Sequence, residues 1–557
     1  MKKRILSLCL SICILGAAMP LSAGAEYSDV PAGWARDEVY AAQEAGLMDG
    51  VGGGLFGYGQ PILRRDFVII LSRMLGWTVT APAVPSFTDV PAGSYYYSYV
   101  ETAAALGVVD GGGAFEPDRA ITRGEMAAML VRGLGYQRLS QQVAPYGHGF
   151  SDVPEELAGY ITVAVDIGMT NGLTATTFGP DAPATREQAA AMMMRVYRRL
   201  RSNTDWLHGF YAFSSYDQRA LISGMDAVSL GWARMSMSAD GPWLNTGRAG
   251  DNEWNIPTAY ESITEYLKDL KKPAHLDVYM DMTERIATSD GEAPALRVLL
   301  ANAAYRDKAA DLLVSEATRV YSAIGRSPYS GVTVDFEGLR AEDKTGFSAF
   351  VITLGQKLRA LNLKLYVAVQ PAVFEEAHYD GFDFRAIGDA ADKVILMAHD
   401  YHPTNLTGLV GSTWQLRTPL TPFAKVYYAL RAATHPQTGV RDTGKLALAI
   451  SFSTIGWELD EQGRVLSPTK VNPTPATLAQ RIAQGDAVTG WSEEYRNAWV
   501  TYSTGGRSYH VWYEDTRAVQ DKIVLARLFG INGVSLWRIG TIPDAVPYDV
   551  WTMLRGR

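Results

Sequence analysis

Beyond residue 205, short apolar runs alternate with stretches of helical periodicity. Helical stretches at residues 260–270, 309–324, 348–361 and 517–529 separate most of the runs. Eight strands that alternate with helices over about 350 residues predict an α/β fold, a (β/α)8 TIM barrel. A doubly wound open sheet is the alternative, but the glycine fingerprint of a nucleotide site is missing. The eight apolar runs cover residues 209–213, 227–232, 276–280, 331–336, 364–370, 393–399, 446–452 and 533–537.

The interval between the seventh and eighth runs is longer than one crossover connection. It contains segments 498–503 and 507–513, which flank Thr504, Gly505 and Gly506. Two strands joined by a glycine-rich turn predict a β-hairpin. We expect this hairpin to lie on the C-terminal rim of the barrel.

Before residue 205, one pattern occurs three times: an Asp-Val-Pro phrase, a helix that stops at a glycine, and a second, apolar helix that begins near an arginine. Each unit therefore predicts a helix, a glycine-rich loop and a second helix. A single unit has little core of its own, so the three units should pack together. The recurring residues are Asp29, Asp89 and Asp152, then Gly46, Gly107 and Gly168, then Arg64, Arg123 and Arg186.

The second helices of the later repeats begin with a Thr-Arg phrase. Thr122 with Glu125, and Thr185 with Gln188, fit a capping box. The capping box does not explain the arginine that all three repeats have. A guanidinium group beside free backbone amides at a helix N-terminus can bind an anion. The residues alone leave a solvated arginine and an anion ligand as open alternatives.

The three units resemble S-layer homology domains, although Leu63, Arg65 and Gln188 depart from the family phrase. The resemblance implies an all-α three-repeat module that binds a pyruvylated secondary cell-wall polymer. It also implies a location in the cell wall or S-layer of a Gram-positive-type bacterium. The residues that the resemblance predicts to contact the anionic ketal are Arg64, Arg123 and Arg186.

Residues 1–25 have the layout of a secretory signal peptide: three basic residues, an apolar stretch, and small residues at Ala23 and Ala25. The apolar stretch is short for a membrane span, so a retained anchor is the weaker alternative. We expect a secreted protein that is cleaved after Ala25 and has no membrane span. Cys9 and Cys13 would leave with the signal, and their neighbours do not fit a lipoprotein site.

Composition and charge exclude two classes of protein. With 47% hydrophobic and 20% charged residues, the chain is not disordered. Its formal net charge is −8, from 51 basic and 59 acidic side chains, and it becomes −11 when three basic residues leave with the signal. An acidic surface repels phosphate backbones, so we expect no nucleic-acid partner.

Candidate chemistry lies in the fourth apolar run, at residues 331–338. Strand alternation points Thr333, Asp335 and Glu337 into the barrel, and their neighbours toward the helices. The C-terminal end of barrel strands is the usual place of active sites. Two carboxylates placed there repel each other, which raises one pKa and favours a protonated acid near neutral pH. The alternative is a pair of rim carboxylates in salt bridges.

This run resembles the Asp-x-x-Asp-x-Asp-x-Glu signature of glycoside hydrolase family 18, the chitinase and spore-cortex glucosaminidase family. Ser330 and Thr333 replace the first two aspartates, whereas Asp335 and Glu337 match. The resemblance implies substrate-assisted retaining hydrolysis, in which the acetamido oxygen of the substrate attacks the anomeric carbon. It implies that Glu337 is the general acid and then the base, and that Asp335 orients the acetamide. Thr333 can still donate a hydrogen bond to Asp335.

Two later segments extend the resemblance. Met397 and Asp400 match a Met-x-Tyr-Asp pattern on the sixth strand, but His399 replaces the tyrosine that holds the acetamide. His399 can donate a hydrogen bond in its place, or Tyr401 can move in. Trp537 corresponds to the tryptophan under the reacting sugar. We predict no metal or other cofactor, because no cluster of ligands accompanies the histidines. The predicted substrate-binding residues are Thr333, Met397, His399, Asp400, Tyr401 and Trp537.

The leading hypothesis is a wall-anchored hydrolase of β-1,4 bonds at N-acetylglucosamine, with peptidoglycan favoured and chitin second. Eleven of the 13 tryptophans lie at or beyond Trp206, as suits a carbohydrate cleft, although most can be ordinary core. The alternative is an inactive barrel that binds glycan or is a structural S-layer component. The predicted domains are a signal peptide (1–25), three S-layer homology repeats (26–80, 84–138 and 147–200) and the barrel (205–557).

Overall fold

The computed structural model describes residues 26–249, 252–289, 291–371, 380–545 and 547–556. The predicted signal peptide lies outside the described residues. The chain divides into two compact units. The first unit comprises residues up to Thr122 together with Pro183–Met194, and the second comprises Arg123–Ala182 together with Arg195–Arg557. Most of the third predicted repeat therefore belongs to the same unit as the barrel.

The predicted repeats consist of helices joined by glycine-rich loops. The helices are α1 (Arg36–Glu44), α2 (Arg64–Leu75), α3 (Tyr97–Ala105), α4 (Arg123–Gly133), α5 (Gln137–Val143), α6 (Glu155–Asp166) and α7 (Arg186–Leu200). Gly46, Gly107 and Gly168 have φ values of 67°, 70° and 70°. This left-handed conformation ends the first helix of each repeat, as the glycine pattern predicts.

The capping box predicted at the start of α7 is half formed. The backbone amide of Thr185 donates to Oε1 of Gln188 at 3.2 Å. The Thr185 hydroxyl is buried without a hydrogen-bond partner among the described residues, so the reciprocal bond of the box is missing.

The rest of the chain forms the barrel and its additions. The strands are β1 (Trp206–Tyr211), β2 (Ala227–Ser238), β3 (Gly241–Asn245), β4 (Ala274–Met280), β5 (Arg285–Thr288), β6 (Gly291–Pro294), β7 (Gly331–Phe336), β8 (Lys364–Val369), β9 (Lys393–Leu396), β10 (Leu446–Ser451), β11 (Ile455–Leu459), β12 (Val488–Ser492), β13 (Asn497–Thr504), β14 (Arg507–Tyr513) and β15 (Gly533–Trp537). The helices are α8 (Tyr260–Asp269), α9 (Ala295–Ala301), α10 (Ala303–Thr318), α11 (Lys344–Arg359), α12 (Phe384–Ala390), α13 (Phe423–Ala433), α14 (Pro475–Ala483), α15 (Thr516–Leu528) and α16 (Val550–Arg555).

Eight parallel strands form a closed barrel, in the order β1, β2, β4, β7, β8, β9, β10 and β15. Strand β1 pairs in parallel with both β2 and β15, and this pairing closes the sheet. Each of the eight predicted apolar runs overlaps one of these strands, so the predicted (β/α)8 fold is confirmed. The C-terminal ends of these strands lie at one end of the barrel, where their side chains can converge.

Two elements differ from the sequence prediction. Strand β2 continues to Ser238 and pairs antiparallel with β3, a pairing that the apolar pattern does not reveal. Helix α10 ends at Thr318, six residues before the predicted end. Its start is set by Asn302, whose side chain accepts hydrogen bonds from the first-turn amides. Its end coincides with a tight turn in which the amide of Tyr321 donates to the carbonyl of Arg326.

The predicted hairpin is the β13–β14 pair of a four-stranded antiparallel sheet that lies between β10 and β15 in the chain. Gly505 and Gly506 form its two-residue turn with φ values of 59° and 75°. Both angles are positive, as a type I′ turn requires. The sheet packs over buried Trp457 and Trp512, whose indole nitrogens donate to Thr418 and to the carbonyl of Gln415.

A buried ion pair joins this inserted sheet to the barrel helices. The Nζ atom of Lys522, on α15, lies 2.7 Å from a carboxylate oxygen of Glu514. Both side chains are at most 2% exposed. Asn497 also donates to Glu514 at 2.7 Å, so the buried carboxylate has several donors. Such pairing is what allows a charge to remain inside a protein.

Within the second unit, helical residues of the third repeat contact the barrel directly. Asp166, at the end of α6, accepts a bond from the Tyr427 hydroxyl and pairs with Arg431 Nε at 3.1 Å. Arg199 Nη1 donates to the carbonyls of Ile167 and Leu528, at 2.6 and 2.5 Å. These are partly buried, charge-assisted bonds, so they hold the repeat against the α13–α15 side of the barrel.

Among the described residues, no helix is both long enough and apolar enough to cross a membrane.

Candidate active site

Strand β7 directs its polar side chains into the barrel. Phe336 lies on the outer face, where its ring stacks on Phe350 of α11 at 5.4 Å. Thr333 lies on the inner face and is fully buried. The alternation of a strand then places Asp335 and Glu337 on the inner face too, at the C-terminal end of the barrel.

Three carboxyl groups converge at this end of the barrel. Asp335 and Glu337 belong to β7, and Asp277 belongs to the neighbouring strand β4. The strand register sets Asp277 opposite Thr333 and sets Tyr279 opposite Asp335. Asp277 is 0% exposed and Asp335 is 2% exposed. The sequence analysis does not predict Asp277 as a site residue.

Burial raises the pKa values of all three groups, and neighbouring carboxylates add to the shift. Burial, then the charges of Glu337 and Asp277, raise the pKa of Asp335 well above its ordinary value. Burial and Glu337 do the same for the pKa of Asp277. Burial raises the pKa of Glu337 to about 7, helped by Asp400 and Asp281 and opposed by His399. A carboxylic acid that remains protonated near neutral pH can donate a proton.

Tyr279 borders the carboxyl groups on strand β4. Its hydroxyl donates to Oδ2 of Asp281 at 2.9 Å, and burial raises its pKa above the ordinary value. Thr283 and Arg234 also donate to Asp281, at 2.6 and 3.3 Å. The Asp281 carboxylate is thus held in place by a ring of donors, and its negative charge helps keep Glu337 protonated.

The segment after β9 brings a histidine toward Glu337. His399 Nδ1 lies 2.9 Å from Oδ2 of Asp400, a residue in the left-handed region at φ 59°. His399 Nε2 is buried and has no hydrogen-bond partner among the described residues. If Asp400 accepts from Nδ1–H, Nε2 is an acceptor in neutral histidine and a donor only in the cation. Met397 is buried on the same segment.

Tyr401, the other candidate on this segment, is oriented differently. Its hydroxyl lies 3.5 Å from the carbonyl of Lys425, on α13, and the Lys425 ammonium lies over its ring at 5.5 Å. These contacts are with a barrel helix. Of the two aromatic candidates on this segment, His399 is the one whose charge acts on the pKa of Glu337.

A stack of aromatic rings forms one wall of the site. Trp254 stacks on Tyr279 at 4.8 Å with an angle of 11° between the rings, and it lies 6.4 Å from Trp537 at 23°. Phe210 contacts the edge of Trp537 at 5.2 Å. Flat rings suit the apolar faces of sugars. Trp537 is a predicted site residue, whereas Trp254 lies in a loop and is not predicted.

Below the carboxyl groups, polar side chains are linked across the barrel. Thr333 Oγ1 lies 2.6 Å from Ser229 Oγ, which in turn lies 2.8 Å from His208 Nε2. No Thr333–Asp335 hydrogen bond is present among the described residues, and the Thr333 hydroxyl instead contacts Ser229 and lies 3.5 Å from His275 Nδ1. Thr333 replaces a carboxylate of the family signature on β7, and a Thr333–Asp335 bond does not compensate for this replacement.

Ser330 occupies the first position of the family signature. Its hydroxyl accepts from the amide of Ala274 at 3.0 Å and lies 3.2 Å from the carbonyl of the same residue. Ser330 thus fastens the start of β7 to the start of β4. It is a structural contact at the opposite end of the strand from Glu337.

The family model for glycosyl hydrolases family 18 matches residues 246–541, more than half of the chain. The chain belongs to glycosyl hydrolases family 18. The S-layer homology model matches residues 26–68, 86–127 and 149–190, so the three predicted repeats are confirmed. The predicted resemblance to both families is therefore correct.

Curated relatives match parts of this family 18 chain. The cortical fragment-lytic enzyme of Bacillus subtilis is 23% identical over 253 residues, which are 43% of this chain and 55% of the relative. The S-layer protein of Bacillus thuringiensis subsp. finitimus is 27% identical over 200 residues, 35% of this chain and 24% of the relative. The chain spans about half the length, or less, of the curated relatives it matches.

A solved chitinase structure from Chromobacterium violaceum is 21% identical, with a TM-score of 0.48. The match covers 63% of this chain and 98% of the chitinase.

The recurring arginines of the S-layer homology repeats donate to backbone carbonyls. Arg64, Arg123 and Arg186 each direct Nε to a phenylalanine carbonyl, at 3.0, 3.2 and 2.8 Å. Each guanidinium also lies over the ring of the same phenylalanine, at 5.0, 4.7 and 5.0 Å. Arg123 and Arg186 are 8% and 7% exposed. The arginines therefore position glycine-rich loops, a role that the sequence analysis does not predict. The three phenylalanines are Phe115, Phe178 and Phe56.

The recurring aspartates hold the same loops from the other side. Asp29 accepts from the amides of Phe56 and Gly57, both at 2.7 Å. Asp89 and Asp152 accept from the amides of Phe115 and Phe178, at 2.6 and 2.8 Å. Each loop is thus fixed by a carboxylate on its amide and by a guanidinium on its carbonyl.

Proposed function

We propose that this protein is a wall-anchored glycoside hydrolase that cleaves β-1,4 bonds at N-acetylglucosamine residues. The observation that supports this best is Glu337, whose pKa is raised to about 7 beside buried Asp335 at the C-terminal end of the barrel. A group with this pKa can be an acid in one step and a base in the next. The aromatic wall of Trp254 and Trp537 adds a surface on which a sugar ring can lie.

The proposed mechanism is substrate-assisted and retains the configuration of the anomeric carbon. Glu337 donates its proton to the glycosidic oxygen while the acetamido oxygen of the substrate attacks the anomeric carbon and the glycosidic bond breaks. Asp335 orients the acetamido group and balances the positive charge of the resulting oxazolinium ion. Glu337, now a carboxylate, takes a proton from water as the water opens the ring, which regenerates the acid.

His399 is proposed to hold the acetamido group on the side away from Asp335. Its Nε2 atom is buried, has no partner among the described residues, and is close enough to Glu337 for the two groups to interact electrostatically. With Nδ1–H donating to Asp400, Nε2 donates to the acetamido oxygen when the ring is the histidine cation. A donor placed at a reacting carbonyl commonly contributes about 10²–10³-fold to the rate. Met397, Asp400 and Trp537 are proposed to shape the same subsite, with Asp400 holding the His399 ring.

Peptidoglycan is the favoured substrate, and chitin is second. One of the relatives is a cortical fragment-lytic enzyme, and another is an S-layer protein. Repeats that bind the wall would keep the barrel close to its substrate, which raises the effective concentration of that substrate.

The S-layer homology repeats are proposed to attach the protein to the bacterial cell surface through an anionic secondary wall polymer, pyruvylated in the favoured case. Arg64, Arg123 and Arg186 would act there mainly through the loops that they hold. Nε of each arginine, and Nη2 of Arg123 and Arg186, already donate within the repeats, so groups of the loops that these arginines position are proposed to meet the anion.

A barrel that binds glycan without cleaving it is the second candidate. It is favoured by one observation: Thr333, at a position where the family has a carboxylate, bonds to the barrel interior. Retention of glycan without release of new reducing ends would support this candidate.

The deciding experiment treats purified peptidoglycan and chitin with the full chain and with Glu337→Gln, and analyses the reducing ends of the products. We expect N-acetylglucosamine reducing ends from the wild type and none from the variant. Equal product from the two proteins would contradict the mechanism, and no product from either would leave glycan binding as the function.

A separate experiment tests the anchor. The full chain should pellet with purified walls, and extraction of the secondary polymer should release it. Pelleting that is unchanged by this extraction would contradict the anchoring role.

A further inference from the structure

Asp277 is a fully buried carboxyl group in the barrel that the proposed mechanism does not use. It lies in the middle of β4 and is 0% exposed. Neither of its carboxyl oxygens has a hydrogen-bond partner among the described residues. Burial of a polar group without a partner costs several kcal/mol, and burial of an isolated charge costs far more. A group with this cost and no structural bond needs an explanation in function.

The side chains around Asp277 are engaged elsewhere or uncharged, so only another carboxyl group is available to pair with it. Its strand-paired neighbour Thr333 bonds to Ser229, and the next inward residue below it, His275, is neutral because burial lowers its pKa to about 3. Above it, Tyr279 donates to Asp281. No cation is paired with Asp277 in the described part of the barrel.

Asp335 is the buried carboxyl group that lies close enough to pair with Asp277. Its Oδ1 atom is also buried and has no hydrogen-bond partner in the described part of the chain, and the two strands run side by side in register. Asp277 and Asp335 are diagonal neighbours on the inner face, and the charge of Asp277 acts on Asp335. Two buried carboxyl groups can satisfy each other only when one proton lies between them.

We propose that Asp277 is a positioning residue that shares one proton with Asp335 and replaces from β4 the carboxyl group that β7 lacks at Thr333. This inference rests on the proposed function. In the resting site the pair has one negative charge and one proton. When positive charge develops on the oxazolinium ion, the proton stays on Asp277 and the negative charge on Asp335 faces the substrate. No proton leaves the pair, and none is added.

The groups that face the pair set its pH dependence. They are Glu337 from β7, His275 and Tyr279 from β4, and His399 from the segment after β9. Among them, burial raises the pKa of Glu337 to about 7. Removal of Asp277 should therefore move the acidic limb of the pH–rate profile to lower pH, because Asp335 would then ionise without the repulsion of a second carboxyl group.

The test compares the full chain with Asp277→Ala, Asp277→Asn and the double variant Asp277→Ala/Thr333→Asp on the glycan that the wild type cleaves. We expect Asp277→Ala to lower kcat at least tenfold with little change in KM. Asp277→Asn can still donate to Asp335, so it should retain more activity than Asp277→Ala. The double variant places a carboxyl group at position 333 of β7, directly opposite position 277. It should recover activity, and the acidic limb of its pH–rate profile should return toward that of the wild type.

Stability separates this role from a structural one. Asp277→Ala removes a buried carboxyl group whose one proposed partner is Asp335, so its melting temperature should fall less than that of a variant that breaks a buried ion pair, even as kcat falls. Asp343→Asn is the matched control, because Asp343 is also buried but pairs with Arg297 at 3.0 Å, and its melting temperature should fall further. A melting temperature of Asp277→Ala that falls as far as that of the control, or an unchanged kcat and pH profile, would overturn the proposal.

An infrared measurement needs no substrate and so separates failure of this proposal from failure of the proposed function. At neutral pH the wild type should show absorption of protonated carboxyl groups, and Asp277→Asn should lose part of it. An identical carboxylic-acid band in the two proteins would overturn the shared proton even if the natural glycan is never found.

Discussion

Glu337→Gln should change the pH dependence of stability in a way that follows from the position of Glu337. Glutamine has nearly the same shape as glutamate but stays neutral at every pH. The pKa of Glu337 is raised from 4.5 to about 7, mainly by burial. Between these two values the folded protein retains a proton that the unfolded chain has lost. The contribution of this position to wild-type stability is therefore fully present below pH 4.5. It is lost as the pH rises through about 7, where the folded protein gives up the proton.

The shift sets the size of the effect. A rise from 4.5 to about 7 corresponds to a penalty of about 3 kcal/mol for the ionised form. This is an upper value, because Glu337 is partly exposed to water. Relative to the wild type, Glu337→Gln should gain up to about 3 kcal/mol in free energy of unfolding as the pH increases across this window. Below the window the gain should vanish.

Urea unfolding followed by tryptophan fluorescence measures this difference, because 11 of the 13 tryptophans lie in the barrel part of the chain. The proteins are the wild type, Glu337→Gln and Glu461→Gln, a control at an exposed loop position. Only for Glu337→Gln should the difference in free energy of unfolding from the wild type change with pH. A difference that is constant with pH would refute the argument that Glu337 is held as an acid by burial, and a rate that does not fall as the pH rises well above 7 would refute its role as that acid.

Four further substitutions have definite expectations. Trp254→Ala removes a stacking face and should raise KM for a chitin oligosaccharide about tenfold with a small effect on kcat, as measured by steady-state kinetics. His399→Phe retains a flat ring without its nitrogens and should lower kcat by about 10²-fold. Arg123→Met leaves buried carbonyls without their charged donor and should cost about 2 kcal/mol in a urea titration. Lys522→Met should cost about 3–5 kcal/mol by the same assay, and adding Glu514→Gln should recover much of it, since the unpaired charge is removed.

The barrel could be predicted because each of its strands appears in the sequence as a short, mostly apolar run. A parallel strand that is covered by helices outside and by side chains inside is apolar on both faces, so it reads as a short continuous run. Each of the eight runs is of this kind. Strand β3 was not predictable in the same way, because it pairs antiparallel with an extension of β2 and so lies outside the parallel strand–helix alternation of the barrel.

The site was predictable where its residues share one strand, and it was not where they meet across strands. Asp335 and Glu337 are two residues apart, so alternation alone places them together. Asp277 stands inside a predicted run, where a charged residue among apolar ones is a signal that could have been read. Its relation to Asp335 depends on the register of two strands that are far apart in the chain. Trp254 lies in a loop without periodicity, so its position depends on tertiary packing.

The repeat arginines illustrate a different limit. Their recurrence predicts a shared role, and their place at a helix start is compatible with an anion site. Recurrence does not identify the partner. The carbonyls to which Arg123 and Arg186 donate lie 55 and 130 residues away along the chain, and only the folded repeats bring them together.

The bonds between Asp166 and the barrel residues Tyr427 and Arg431 limit the movement of the barrel relative to this part of the third repeat. A catalytic domain on a long, flexible tether sweeps a wide area around its point of attachment. Here most of the third repeat belongs to one compact unit with the barrel, so that part of the repeat has a fixed position on the barrel. A barrel attached to a wall through such a repeat would reach only the glycan strands close to the point of attachment. Its rate on an intact wall would then depend on how often the repeats detach and bind elsewhere.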